Sequence, residues 1–401
     1  MACYEGGVAT NAPLFFNLQL IKHMSEESTY YEKGEFYRVA ERSMPNLASL
    51  LPDGMDKPWH RRWLGKLKMV WNFIKRQAVY EAEPVFQGIF GKSKTLGDIS
   101  TPVAATVFIP DTEQTVTFLN KKTDFINEEL MPHDLFVERP DVRLWQVTGY
   151  SSCIPYVFSL KRKNYVHPRI SEGSPYAAQN VSTVYGFVPV DGAVSAYYGA
   201  MGASVNENKI IVTVFPTKRA KPLDYSSGMR IASWWGVGST YALLSSAMYM
   251  LNNEGADKLA LAKQLGAVEL GCDAYAARDE LLDSTGEEFP NGAQFARYTV
   301  DVMLEIFNYQ YDKIRKMVEE SPIYDLDKYA REGMVICVSS GGAFAVDELA
   351  GICALCDAVS ARAEEGRDGI INLITGTSAG SLNAVFVAQI HDEVYNLNGE
   401  E

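Results

Sequence analysis

Gly376-Thr377-Ser378-Ala379-Gly380 sets a serine between two glycines, behind the apolar run Ile370-Ile371-Asn372-Leu373-Ile374 and ahead of the small-residue stretch Ser381–Gln389. In a strand–turn–helix of this kind the serine stands on a tight turn, with its hydroxyl at the helix N-terminus and neighbouring backbone passing close to the glycines. The free N–H groups and partial positive charge of that helix end favour an anion as it develops. The chemistry this suits is attack by the serine oxygen on an acyl carbonyl. A glycine-rich structural turn is the bland alternative; the strand before and the helix after favour the nucleophile.

Such a serine needs a base. Of five histidines, only His391 follows Ser378, and it lies at the far end of the helix that Ser378 would begin, which carries it away from the hydroxyl. His23, His60, His133 and His167 have no local context suggesting a base. A carboxylate can serve instead, provided that burial lifts its pKa from ~3.9 towards neutrality. Cys353-Ala354-Leu355-Cys356 has redox or zinc spacing, but it falls in an apolar stretch with no second cysteine pair. It reads as core packing, and neither metal nor other cofactor is expected.

The elements that must position these groups point to an α/β fold. Met334–Val338 is an apolar strand leading into Ser339-Ser340-Gly341-Gly342, with a helix to follow through Ser360. Ile370–Ile374 repeats the pattern into the Ser378 turn. Upstream, Pro102–Ile109, Thr115–Phe118, Val184–Val190 and Ile210–Phe215 read as strands. The stretch Ser226–Ser321 reads as mostly helical, broken at Gly255, Gly271 and Pro290, and the first hundred residues as helical and irregular. Strands alternating with helices imply a mainly parallel central sheet flanked by helices on both faces.

The 401 residues include 37 Lys+Arg against 50 Asp+Glu, a net charge of −13, which argues against general nucleic-acid binding. With 47% apolar and 22% charged residues the composition is that of a folded chain. The opening residues lack a secretory pattern, and six cysteines are too few for a disulfide scaffold, so a cytoplasmic setting is expected. The longest uncharged run, Ile231–Asn253, carries many serines and reads as a buried helix rather than a membrane span. Lys57–Gln77 is basic and aromatic: Trp63 and Trp71 share a helical stripe, with Arg61, Arg62 and Lys66 around it. Such a helix can lie on an anionic membrane surface, or pack on the sheet with its cations reaching out to water; the two readings stand even.

Taken together these segments resemble the patatin-like phospholipase family. Met334–Val338 with Gly341-Gly342-Ala343 resembles its glycine-rich oxyanion loop, and Gly351 stands at the place of a later glycine. Gly376-Thr377-Ser378-Ala379-Gly380-Ser381-Leu382-Asn383-Ala384 is similar to its nucleophile segment, and Val190-Asp191-Gly192-Ala193 to its D-G-[GA] motif. Leu144-Trp145-Gln146, Ser151-Ser152-Cys153-Ile154-Pro155 and Asn208–Val212 are supporting matches. The resemblance covers about Pro84–Val214 and Met334–Gln389. It implies a three-layer patatin-like fold over residues 1–401 as one domain: a helical segment 1–83, a sheet segment 84–215, a helical and joining segment 216–333, and the loop and elbow in 334–401. It also implies a Ser378–Asp191 dyad, an oxyanion hole from Gly341, Gly342 and Ala343, and an acyl-ester lipid substrate.

Two departures accompany it. The family runs loop, serine, aspartate; here the aspartate comes first, as in a circular permutation with the usual ends joined near Ser321–Gly333. Ala343 and Ala345 stand where the family has a third glycine and then a cation. Those alanines motivate an alternative, an inactive patatin-fold scaffold; a soluble small-ester hydrolase is another.

Overall fold

Alternating buried residues along the strands build one sheet with helices on both sides. The structure, a computed structural model, describes residues 33–48, 80–81, 83–109, 114–126, 134–153, 158–159, 190–194, 208–214, 258–274, 300–341, 344–364 and 366–397. In chain order its elements are α1 (Glu35–Ala48), β1 (Tyr80–Glu81), α2 (Glu83–Phe90), β2 (Val103–Ile109), β3 (Gln114–Leu119), β4 (Asp134–Glu138), α3 (Leu144–Ser151), β5 (Phe158–Ser159), β6 (Val190–Asp191) and β7 (Lys209–Thr213). There follow β8 (Val268–Gly271), α4 (Val300–Glu320), α5 (Leu326–Glu332), β9 (Met334–Val338), α6 (Ala345–Ser360), β10 (Ile371–Thr377) and α7 (Ala379–Val394).

The sheet order is β4-β3-β2-β10-β9-β7-β8. Strands β2, β10, β9, β7 and β8 run parallel, whereas β3 and β4 run the other way. Strands β1 and β5 form a separate parallel pair. On one face Val103, Ala105, Val107, Ile210, Val212, Met334, Ile336 and Val338 join the main core beneath the helices. On the other, Ala104, Ile211, Val335, Cys337 and Leu373 meet Leu259 and Ala262 of a helical segment at 258–264. The arrangement is a three-layer α/β fold with a mostly parallel sheet. Helices α6 and α7 are buried almost all round, because α4 and α1 cover the sides turned away from the sheet. That explains why neither sequence carries a polar stripe.

Two differences from the sequence expectation have local causes. β8 lies inside the stretch read as helical: four residues are too few to show a period, and β7 supplies the pairing that makes them a strand. β10 runs three residues past its apolar stretch because Thr375, Gly376 and Thr377 are held by β2, and the first two by β9 as well. Val184–Pro189, Lys57–Gln77 and Ile231–Asn253 lie outside the described residues. Among those described, no helix is long and apolar enough to cross a membrane.

Candidate active site

The turn between β10 and α7 is tight because two glycines allow it. A side chain on Gly376 would run into the carbonyl oxygen of Gly380, and one on Gly380 into that of Ser339. Between them Ser378 adopts φ 55° and ψ −127°, a left-handed backbone that costs a non-glycine residue about 1–3 kcal/mol. Neighbouring hydroxyls brace it. Ser378 N donates to Ser151 Oγ at 2.9 Å, and Ser151 Oγ donates to the Thr106 carbonyl at 2.6 Å. The Ser378 carbonyl accepts from Ser152 Oγ at 3.0 Å and from Ser381 Oγ at 2.6 Å. Ser378 occupies the N-cap of α7, yet its side chain does not cap the helix. Its hydroxyl is engaged elsewhere.

The engagement is set by strand register. β10 pairs with β2 as far as Thr377 opposite Thr106; one residue on, the same edge of β2 takes β6, with Asp191 opposite Val107. Asp191 therefore arrives beside the turn, although it lies far from Ser378 in sequence. Gly192 is needed for that approach, since a side chain there would strike the Thr106 carbonyl. Ser378 Oγ donates to Asp191 Oδ2 at 2.6 Å, and Ala193 N donates to Oδ1 at 2.8 Å. Asp191 N is satisfied by the Cys153 carbonyl at 3.0 Å. Asp191 is 4% exposed and Ser378 3%. Burial raises the Asp191 pKa from 3.8 to about 7, against the smaller opposing effects of the hydrogen bonds from Ser378 and Ala193. A carboxylate titrating there is a far stronger base near neutrality than an exposed aspartate.

The chain matches no family model, no curated protein and no solved structure.

The structure brings together Ser378, Asp191, Gly376 and Gly380, and places buried Gly341 just beyond β9, where its carbonyl accepts from Phe344 N at 3.1 Å. Gly342 and Ala343 lie outside the described residues, as do Trp63, Trp71, Arg61, Arg62 and Lys66. His391 is far from the dyad, near the opposite end of β10. Its Nε2 accepts from Ile370 N at 2.9 Å and Ile371 N at 3.2 Å, which leaves the ring proton on Nδ1, 2.7 Å from Thr101 Oγ1. Burial lowers its pKa to about 3, so the ring is neutral and structural. Cys353 and Cys356 are buried free thiols whose pKa burial pushes up. Among the described residues no group of three or more His, Cys, Asp or Glu is placed to hold a metal. The bracing role of Ser151 and Ser152 is not readable from spacing. The signal is a pair of hydroxyls ending a buried helix, and only the packing of α3 on β2 and α7 gives it meaning.

Proposed function

We propose that the protein is a serine lipid acyl hydrolase of the patatin-like phospholipase kind, acting through a Ser378–Asp191 dyad. The observation that carries this reading is the 2.6 Å bond from a strained, glycine-flanked serine to a buried aspartate titrating at about 7. Ser378 Oγ attacks the ester carbonyl as Asp191 takes its proton, and the alcohol leaves with a proton returned from Asp191. Water, deprotonated in turn by Asp191, then releases the fatty acid. The loop after β9 supplies amides from Gly341, Gly342 and Ala343 to the oxyanion, each typically worth ~2.7–4 kcal/mol. Alanine keeps its N–H, so Ala343 does not by itself remove a donor.

The rotated motif order is a circular permutation in this reading, the family's ends being joined across Ser321–Gly333. Adjacency of β9, β10 and β2 in the sheet supports it, because the site depends on strand neighbours and not on their order along the chain. The substrate is a phospholipid or another acyl-ester lipid, and the basic, aromatic segment Lys57–Gln77 is the part of the sequence suited to meeting an anionic surface.

The test is fatty-acid release from anionic phospholipid vesicles and from a soluble short-chain ester, by the wild type and by Ser378→Ala. Hydrolysis of vesicles by the wild type alone is the expected result. Hydrolysis of the soluble ester only would identify a small-ester hydrolase, and hydrolysis of neither would leave the scaffold reading.

A further inference from the structure

Glu348, one turn into α6, is completely buried, and no lysine, arginine or histidine among the described residues pairs with it. Its Oε1 accepts from Ser339 Oγ at 2.8 Å, and its Oε2 from Asn383 Nδ2 at 3.1 Å. Ser339 opens the glycine loop after β9 and is anchored to β7 through its N–H to the Val212 carbonyl at 3.1 Å. Asn383 lies on α7, five residues past Ser378, and also donates to the Ala345 carbonyl at 2.9 Å. The loop lies down on the carboxyl group: a Cβ at Gly341 would stand 2.7 Å from Glu348 Oε2. The Ser339 carbonyl meanwhile abuts Gly380 in the first turn of α7. One carboxyl thus ties the segment Ser339–Gly341 to the helix that Ser378 begins.

Burying an ionised carboxylate without a cation is strongly unfavourable, and such a group keeps its proton instead. Burial accordingly raises the Glu348 pKa well above the ordinary range, against the smaller lowering effects of the hydrogen bonds from Ser339 and Asn383; neighbouring Asp347, held by Gln310 of α4 at 2.8 Å, adds a lesser upward push. The proton then sits on Oε1 and donates to Ser339 Oγ, whose hydroxyl turns to accept, while Oε2 still accepts from Asn383. An uncharged acid is also compatible with an anion forming nearby, whereas a carboxylate would oppose it.

We propose that Glu348 is a positioning residue, whose carboxyl clasps the segment Ser339–Gly341 to the nucleophile helix and so fixes the amides of that segment relative to Ser378. This rests on the acyl-hydrolase reading. The test compares wild type, Glu348→Ala and Glu348→Gln in kcat and KM on whichever ester the wild type hydrolyses, phospholipid vesicles or the soluble ester, and in amide hydrogen exchange over Ser339–Gly341. Glutamine can offer its oxygen to Asn383 and its amide to Ser339, whose hydroxyl turns to accept. Glu348→Ala should lose kcat by ~100-fold with little change in KM, and exchange faster in the loop, as a displaced oxyanion hole requires. Glu348→Gln should retain most of the rate and the slow exchange. If Glu348→Ala does not fold, Glu348→Gln decides alone. Wild-type kcat and exchange in Glu348→Ala, or a Glu348→Gln as slow as Glu348→Ala, overturns the proposal and leaves the dyad standing. A wild type inert on both the vesicles and the soluble ester overturns the hydrolase reading itself, and this proposal with it.

Discussion

Asp191→Asn should make the protein more stable while removing its base. The substitution keeps the shape of the site: the asparagine oxygen still accepts from Ala193 N, and its amide can donate to Ser378 Oγ, which turns to accept. What it removes is a buried group that resists ionisation. The pKa of Asp191 rises from 3.8 to about 7 on folding, a shift of about 3 units; at ~1.36 kcal/mol per unit that is about 4 kcal/mol. Below pH 3.8 the side chain is protonated in both folded and unfolded chains and the shift has no effect. As pH rises towards 7 the unfolded chain ionises first, so the folded state loses ground, and above 7 the loss is complete. The stability advantage of Asp191→Asn over wild type should therefore be small in acid and grow by up to about 4 kcal/mol towards alkaline pH. Urea unfolding followed by circular dichroism across that range measures it, and ester turnover should meanwhile fall by roughly 10²–10⁴. A stability difference that does not change with pH, or that favours wild type more as pH rises, would refute the reasoning.

In the proposed mechanism the same titration governs the rate. Asp191 must be ionised to accept the serine proton, so kcat/KM should climb with pH and reach half its plateau near 7; a flat profile from acid to alkali would contradict the assignment. His391→Ala should leave that profile in place but destabilise the fold by about 1–3 kcal/mol, since the N–H groups of Ile370 and Ile371 lose their buried acceptor. A shifted profile in that variant would give the histidine a part in the chemistry.

The elbow is legible in the sequence because it is local. Strand, glycine-flanked serine and helix follow one another, and the glycine spacing reports a backbone contact between Gly376 and Gly380 that no other residue permits. Rejecting His391 was also a local argument, since α7 carries it toward the N-terminal end of β10. Asp191 is different. Its strand is two residues long, and what brings it to Ser378 is the edge of β2 beyond Thr106 that β10 leaves unpaired, a pairing that no period in the sequence reports. Motif resemblance pointed to it where spacing could not. β8 and β4 were illegible for a similar reason, being short strands made by their neighbours in the sheet. Ser151 and Glu348 belong to a third class: their importance lies in which buried atoms they touch, and an amphipathic pattern is uninformative where helices are buried all round, as α6 is.

The most direct measurement is the site of covalent capture. A fluorophosphonate probe incubated with the folded wild-type protein, followed by peptide mass spectrometry, should place a single phosphonyl adduct on Ser378. That adduct should form much more slowly in Asp191→Asn. An adduct on another residue, or undiminished capture at Ser378 without the aspartate, would contradict a nucleophile activated by Asp191.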